Sequence, residues 1–415
     1  MSRVNQGSLA VLAMTNRFTD VGVPPLTASE LWRLLAQVDD PGGLFGLDER
    51  GASDLTPGTG VDPARLVRLL DAGVALAARL EGLYERGISV ITALDEPYPR
   101  RLCERLSLAA PPVLYCSGQI ALLGVDGIGI VGSRNVGPDA AEVTSKVAHL
   151  VADNGLPVVS GGAKGVDSIS MAAAYEAGGT AVGVLADSLE RAISQADNRR
   201  AMLDGRACLC TPYRPDARFT AGAAMGRNKI IYGLARVTLV ISSAKDEGGT
   251  WSGATEALKK RYGRVAVWTG DGSGPGNDAL VTAGGAAIKE PEAILSFDAV
   301  EPGERPEQSQ MELGFGSPPQ TSETSDAPAS SLSDEGPRPD TPPQSMTSSV
   351  RPALPDSAIR PKPTGVCWCG CGKTVEDGSF FVARHAPGAA QRAVIKHFGS
   401  VEAFLAMLGE VPEAE

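Results

Sequence analysis

Apolar runs alternate with helical periodicity through the middle of the chain. Gly127–Val131 is a short apolar run ending at Gly132. Pro138 suits the first turn of a helix, where a missing N–H costs nothing. Val143, Val147, Leu150 and Val151 then recur at helical spacing, and Asn154-Gly155 ends that helix. Residues 156–159 form the next expected strand, followed at once by Ser160-Gly161-Gly162. Val166, Ile169, Ala173 and Ala177 give a second helix an apolar face ending at Gly178-Gly179. More strands are expected at 181–185, 207–211, 237–242 and 265–268. One helix is expected to open at Gly226, and another to follow a glycine loop over 247–253. This alternation specifies an α/β fold: a doubly wound, mainly parallel sheet over residues 86–298.

The flanks read differently. Residues 1–85 look like a small helical domain. Thr27-Ala28-Ser29-Glu30 is a capping-box pattern, and 63–83 carries a broad apolar helical face. Between them 40–60 is rich in Pro and Gly. Residues 86–125 connect this domain to the sheet, through a short strand at 87–91, a proline-fixed turn at 95–102 and an extended stretch at 111–115. Residues 299–362 are rich in Pro, Ser, Thr, Gln and Glu, the composition of a disordered linker. Residues 363–415 regain apolar spacing after a cluster of cysteines, as a small zinc-type module with a C-terminal helix.

Composition narrows the setting. No stretch is long and apolar enough to span a membrane, and the N-terminus does not read as a signal peptide. Seven cysteines, three of them within five residues, suit a reducing, cytoplasmic compartment and a metal site. Cys367, Cys369, Cys371 and His385 make a Cys₃His set for structural zinc, with tighter spacing than usual. The net charge of −11 is unevenly spread, because residues 86–298 carry 22 acidic and 22 basic side chains. A neutral domain with locally basic loops still binds phosphates.

The candidate chemistry sits in those loops. Gly132-Ser133-Arg134 offers backbone N–H groups, a hydroxyl and a guanidinium fork. Ser160-Gly161-Gly162-Ala163-Lys164-Gly165 adds more N–H groups, a second hydroxyl and an ammonium. Both loops leave parallel strands and enter helices, so they meet at one sheet edge, where helix N-termini favour anions. Neither is a dinucleotide fingerprint or a Walker loop. Arg227 and Lys229 are further phosphate contacts, and Asn228 orients them or touches a base edge. Asp167 either caps the second helix or orients Lys164. Trp251 reads as a base-stacking side chain or a buried loop tryptophan. His149 reads as a surface or packing residue, and Cys208 and Cys210 read as packing.

Several of these blocks, in this order, resemble the DNA-processing protein A (DprA/Smf) family. The resemblance spans roughly residues 88–288. It rests on Asp95-x-x-Tyr98-Pro99, Pro111-Pro112-Val113-Leu114-Tyr115 and Ile130-Val131-Gly132-Ser133-Arg134. It continues through Ser160-Gly161-x-Ala163-Lys164-Gly165-Val166-Asp167, Arg227-Asn228-Lys229-Ile230 and Gly276-Asn277-x-x-Leu280. It implies a Rossmann-like domain that binds single-stranded DNA, forms a homodimer and delivers DNA to a RecA-type recombinase in natural transformation. It implies no catalytic residue. Ser170-Met171 stands where the family often has Ala-His, and the Cys/His module replaces its frequent winged helix. Two other readings remain open. Gly248-Gly249-Thr250 with Glu256 is similar to nucleotide hydrolases that cleave N-glycosidic bonds, with Glu256 as acid/base or nucleophile. The other is a nucleotide-sensing module of an antiphage system.

Overall fold

A computed structural model describes residues 4–297, apart from 16, 17, 19, 20 and 72. The proposed linker and the Cys/His module, with Cys367, Cys369, Cys371 and His385, lie outside these residues.

The chain opens with α1 (Gln6–Thr15), in which every residue from Ser8 to Met14 is buried. A helix apolar on all sides belongs inside a bundle, and the others pack around it. In α2 (Ala28–Leu35) the capping box forms: Thr27 accepts from the Glu30 N–H, and the Glu30 carboxylate accepts the Thr27 N–H at 2.7 Å. The Pro/Gly-rich stretch holds α3 (Glu49–Leu55), capped by Asp48. The apolar face over 63–83 divides into α4 (Pro63–Leu70) and α5 (Gly73–Glu85). The first ends at its C-cap Asp71 and Gly73 opens the second; the unbroken apolar spacing hid that break.

The segment read as leading into the sheet, with a short strand and an extended stretch, supplies two strands of that sheet. It supplies β1 (Ser89–Thr92), α6 (Arg101–Leu106) and β2 (Val113–Gly118). Next come β3 (Gly127–Val131), α7 (Pro138–Asp153), β4 (Val158–Ser160), α8 (Val166–Glu176) and β5 (Ala181–Val184). Then follow α9 (Leu189–Ser194), α10 (Ala196–Leu203), β6 (Ala207–Thr211), α11 (Ala221–Leu234) and β7 (Ala235–Val240). The described fold closes with α12 (Gly248–Lys260), β8 (Arg264–Trp268), α13 (Asn277–Thr282) and β9 (Ala286–Ile288).

The nine strands run in the order β1-β2-β6-β5-β4-β3-β7-β8-β9. From β6 to β9 every pairing is parallel, whereas β1–β2 and β2–β6 are antiparallel. The order therefore runs outward from β3 in both directions: β4, β5 and β6 on one side, β7, β8 and β9 on the other. All five residues of β3 are buried, as in a sheet covered on both faces. Gly127 and Gly129 let it sit that close to its neighbours; a Cβ on Gly129 would lie 2.5 Å from the Thr238 hydroxyl.

Polar contacts fasten the helical segment to the antiparallel edge. Trp32 donates its indole N–H to the Ala110 carbonyl at 2.9 Å. Asp95 accepts the Ser8 hydroxyl and the Thr92 N–H, both at 2.6 Å. Tyr98 donates to the Pro111 carbonyl at 2.6 Å and so braces the segment to which Ser8 and Trp32 attach.

Candidate phosphate-binding cleft

At the carboxyl ends of β3, β4 and β7 a cleft of about 620 Å³ opens. This is the point where strand order reverses, the usual ligand position in open α/β sheets. Its walls are Gly132, Ser133 and Arg134 after β3, Ala163 after β4, and Ala244 and Glu247–Thr250 after β7. One side of α11 closes it, through Ala224, Met225, Arg227, Asn228 and Tyr232.

The two glycine loops meet, as their placement required. The Val166 N–H donates to the Ser133 carbonyl at 3.2 Å. Gly165 holds φ +90°, and a Cβ there would lie 2.3 Å from the Ser133 carbonyl oxygen. Only glycine gives both that φ and that approach. Ser133 is held in turn by its N–H to the Ser242 carbonyl at 2.8 Å, and its hydroxyl accepts the Asn135 N–H at 3.1 Å.

Arg227 lies at the bottom of the cleft. It is 5% exposed, and its guanidinium rests on Gly161, where a Cβ would be 1.7 Å from Nη1. Nη2 stands 3.5 Å from Asp167, while Nε has no protein partner. Tyr232, 2% exposed, also brings a hydroxyl without a protein partner. Asp167 is pushed above the ordinary carboxylate range by burial; Arg227 and the N–H groups of Ala163 and Gly132 oppose that shift. Asp167 therefore neither caps α8, whose N-cap is Gly165, nor orients Lys164. It positions Arg227 and ties both loops to it.

Other expected contacts fall elsewhere. Ser160 is fully buried and donates to the Ile130 carbonyl at 2.7 Å, so its hydroxyl belongs to the sheet. Lys164 is exposed, outside the cleft wall. Arg134 is exposed at the rim, with its guanidinium 5.1 Å from the Phe219 ring centre. Arg227, Asn228 and Lys229 do not open a helix. Thr220 caps α11 by accepting the Ala223 N–H, and puts these three mid-helix. A 3.6-residue turn then separates them: Arg227 faces the cleft, and Lys229 faces away. Burial lowers the Lys229 ammonium, with Glu256 and Lys260 as the neighbouring charges. Asn228 donates to the Gly249 carbonyl at 2.9 Å and so anchors the start of α12.

The expected glycine loop at 247–253 is mostly helix. α12 starts at Gly248, and its N-cap, Glu247, makes no side-chain cap. Its first turn therefore presents open N–H groups and the positive end of a 13-residue helix to the cleft. Trp251 lies half-buried in that turn, outside the wall. Glu256 also stands outside, hydrogen-bonded to Lys260 at 3.1 Å and Tyr262 at 3.3 Å. That placement removes Glu256 as an acid/base or nucleophile for this cleft. His149 is exposed on α7, and Cys208 and Cys210 are buried in β6 opposite β2, as read. Phe219 and Tyr232 escaped the sequence reading, and Asn277 entered it only as part of a resemblance block, without a role. For Asn277 the signal was present, in the Gly276-Asn277 block itself.

The fold is that of a Rossmann-like α/β protein with a cleft at its switch point. A sequence profile of the DNA recombination-mediator protein A family matches residues 89–298, and the chain belongs to that family. Protein Smf of Synechocystis is 29% identical over 175 residues, 41% of this chain and 43% of that protein. DNA processing protein DprA of Bacillus subtilis is 30% identical over 179 residues, 42% of this chain and 59% of that protein. The chain thus matches roughly half the length of these relatives. The X-ray structure of DNA processing protein A from Streptococcus pneumoniae superposes with a TM-score of 0.56 at 23% identity, over 72% of this chain and 99% of that one.

Proposed function

We propose that the chain binds single-stranded DNA through the cleft and acts as a DNA-processing, recombination-mediating protein in natural transformation. The observation that supports this most is the convergence of the β3 loop, the buried Arg227 and the uncapped start of α12 on one cleft. The relatives' names, DNA processing protein and recombination-mediator protein, agree with it. On this reading Arg134 and Arg227 contact phosphate from the wall, and Lys164 from the adjoining surface. Delivery of DNA to a RecA-type recombinase, homodimer formation and a cytoplasmic setting complete the proposal. Among the described residues no helix is long and apolar enough to cross a membrane. The donor set Cys367, Cys369, Cys371 and His385 is proposed to hold one structural zinc, released by Cys371→Ser and counted by metal analysis.

The test is equilibrium binding of labelled single and double strands across a salt series. Single strands should bind more tightly, with log affinity falling by about 0.7 per log unit of salt for each phosphate neutralised. Affinity for single strands that is indifferent to salt, and unchanged in Arg134→Ala, sinks the proposal.

A further inference from the structure

The cleft differs from an open basic groove in one respect. Its charge is not only on the rim: a guanidinium lies at the bottom, 5% exposed, with Nε unpartnered. Tyr232, which lines the same cleft, carries a buried hydroxyl that is also without a protein partner. Two unmatched donors in one buried place are costly unless a ligand matches them. The start of α12 faces the same space with no side chain capping it. Asn228, next to Arg227 in the chain, holds the Gly249 carbonyl at 2.9 Å, so α11 and α12 keep these donors together.

Two acids share the wall, Asp167 and Glu247. Asp167 is already engaged by the N–H groups of Ala163 and Gly132 and by Nη2 of Arg227. Glu247 is exposed at the helix start. The floor of Arg227, Tyr232 and Asp167 is buried, so the cleft is closed beneath. A phosphodiester inside a strand carries chain on both sides. Both flanking sugars would have to enter and leave by one mouth, and only two of its oxygens are free. A phosphomonoester carries chain on one side, has three free oxygens and bears nearly two charges at neutral pH.

Resting on the reading that this cleft takes nucleic-acid phosphate, we infer that it selects a terminal phosphomonoester, the phosphorylated end of a single strand. Strand ends would then be gripped, and strand interiors held only by the exposed Arg134 and Lys164. The same chemistry is offered by a 5′-phosphate, a 3′-phosphate or a free nucleoside monophosphate.

The experiment compares, for the full chain, one oligonucleotide sequence in four forms: 5′-phosphorylated, 3′-phosphorylated, with hydroxyls at both ends, and closed into a circle. A nucleoside 5′-monophosphate and its nucleoside serve as competitors. One phosphorylated form is expected to bind about tenfold more tightly than the hydroxyl form and the circle. The preferred end identifies the source, and the monophosphate competes where the nucleoside does not. Arg227→Gln should erase the preference. Because Arg227 is buried, Thr250→Asp is the companion variant. A carboxylate in the first turn of α12 suits the helix but repels a phosphate, so this variant should fold normally and lose the preference too. Equal binding of all four forms overturns the inference and leaves the single-strand reading standing. Binding of none overturns both. A preference that persists in Thr250→Asp removes the start of α12 from the site and overturns the inference as stated.

Discussion

At the scale of single residues the cleft depends on what is missing from its glycines. Gly161 supplies the space that the Arg227 guanidinium fills. Gly161→Ala places a methyl 1.7 Å from Nη1. The guanidinium is buried and cannot swing aside without breaking its approach to Asp167. A loss of about 2–3 kcal/mol is expected in urea denaturation, together with weakened DNA binding. Arg134→Ala and Lys164→Ala touch exposed side chains, so each should unfold at the parent's urea midpoint. Each should flatten the salt slope by about 0.7, read from the same titration. The sequence revealed these basic residues, because a guanidinium beside a glycine loop is a local signal. It did not reveal that Ser160 turns into the sheet or that Lys229 turns away from the cleft. Those orientations depend on strand pairing and helix phase, which no neighbouring residue encodes. Tyr232 was hidden for another reason: it follows Ile230 and Ile231 and reads as part of an apolar helix face.

At the scale of elements, the strands were legible where they were apolar and bounded by glycine. Helix starts were less so, because a cap several residues upstream decides them. Thr220 starts α11 six residues before the predicted opening at Gly226, and α12 begins inside what reads as a glycine loop. Asn277 shows how elements are tied near the cleft. It is 1% exposed, donates to the carbonyls of Ile241 and Trp268 at 2.8 and 2.7 Å, and accepts the Ser243 N–H at 2.9 Å. It thereby joins the exits of β7 and β8. Asn277→Ala leaves three buried groups unmatched and should cost about 2–4 kcal/mol, measured by denaturant unfolding. In the helical segment the corresponding tie is Glu30, held at about 2 instead of 4.5, first by its hydrogen bond to Arg65. A carboxylate lowered on folding stabilises the fold above its unfolded value. That contribution should fade as pH falls from 4.5 toward 2, and Glu30→Gln should remove this part of the acid dependence.

At the scale of the whole molecule, the sheet carries a sequence separation that its order makes unavoidable. β2 ends at Gly118, yet its partner β6 starts at Ala207, after three intervening strands. The helical segment is fastened to the chain around β1 and β2, through Trp32 and Asp95. On an elongating chain, everything N-terminal to residue 118 emerges before the strand that will cover it. Contacts this distant in sequence close late and slowly. In refolding followed by pulsed hydrogen exchange, amides of β3, β4 and β5 should gain protection before those of β2 that bond to β6. Simultaneous protection would contradict this order. Until then β2 has a bare edge toward the missing strand, the condition under which nascent chains pair with the wrong partner. The β2 edge that the finished sheet conceals is thus left open by synthesis until three further strands have been made.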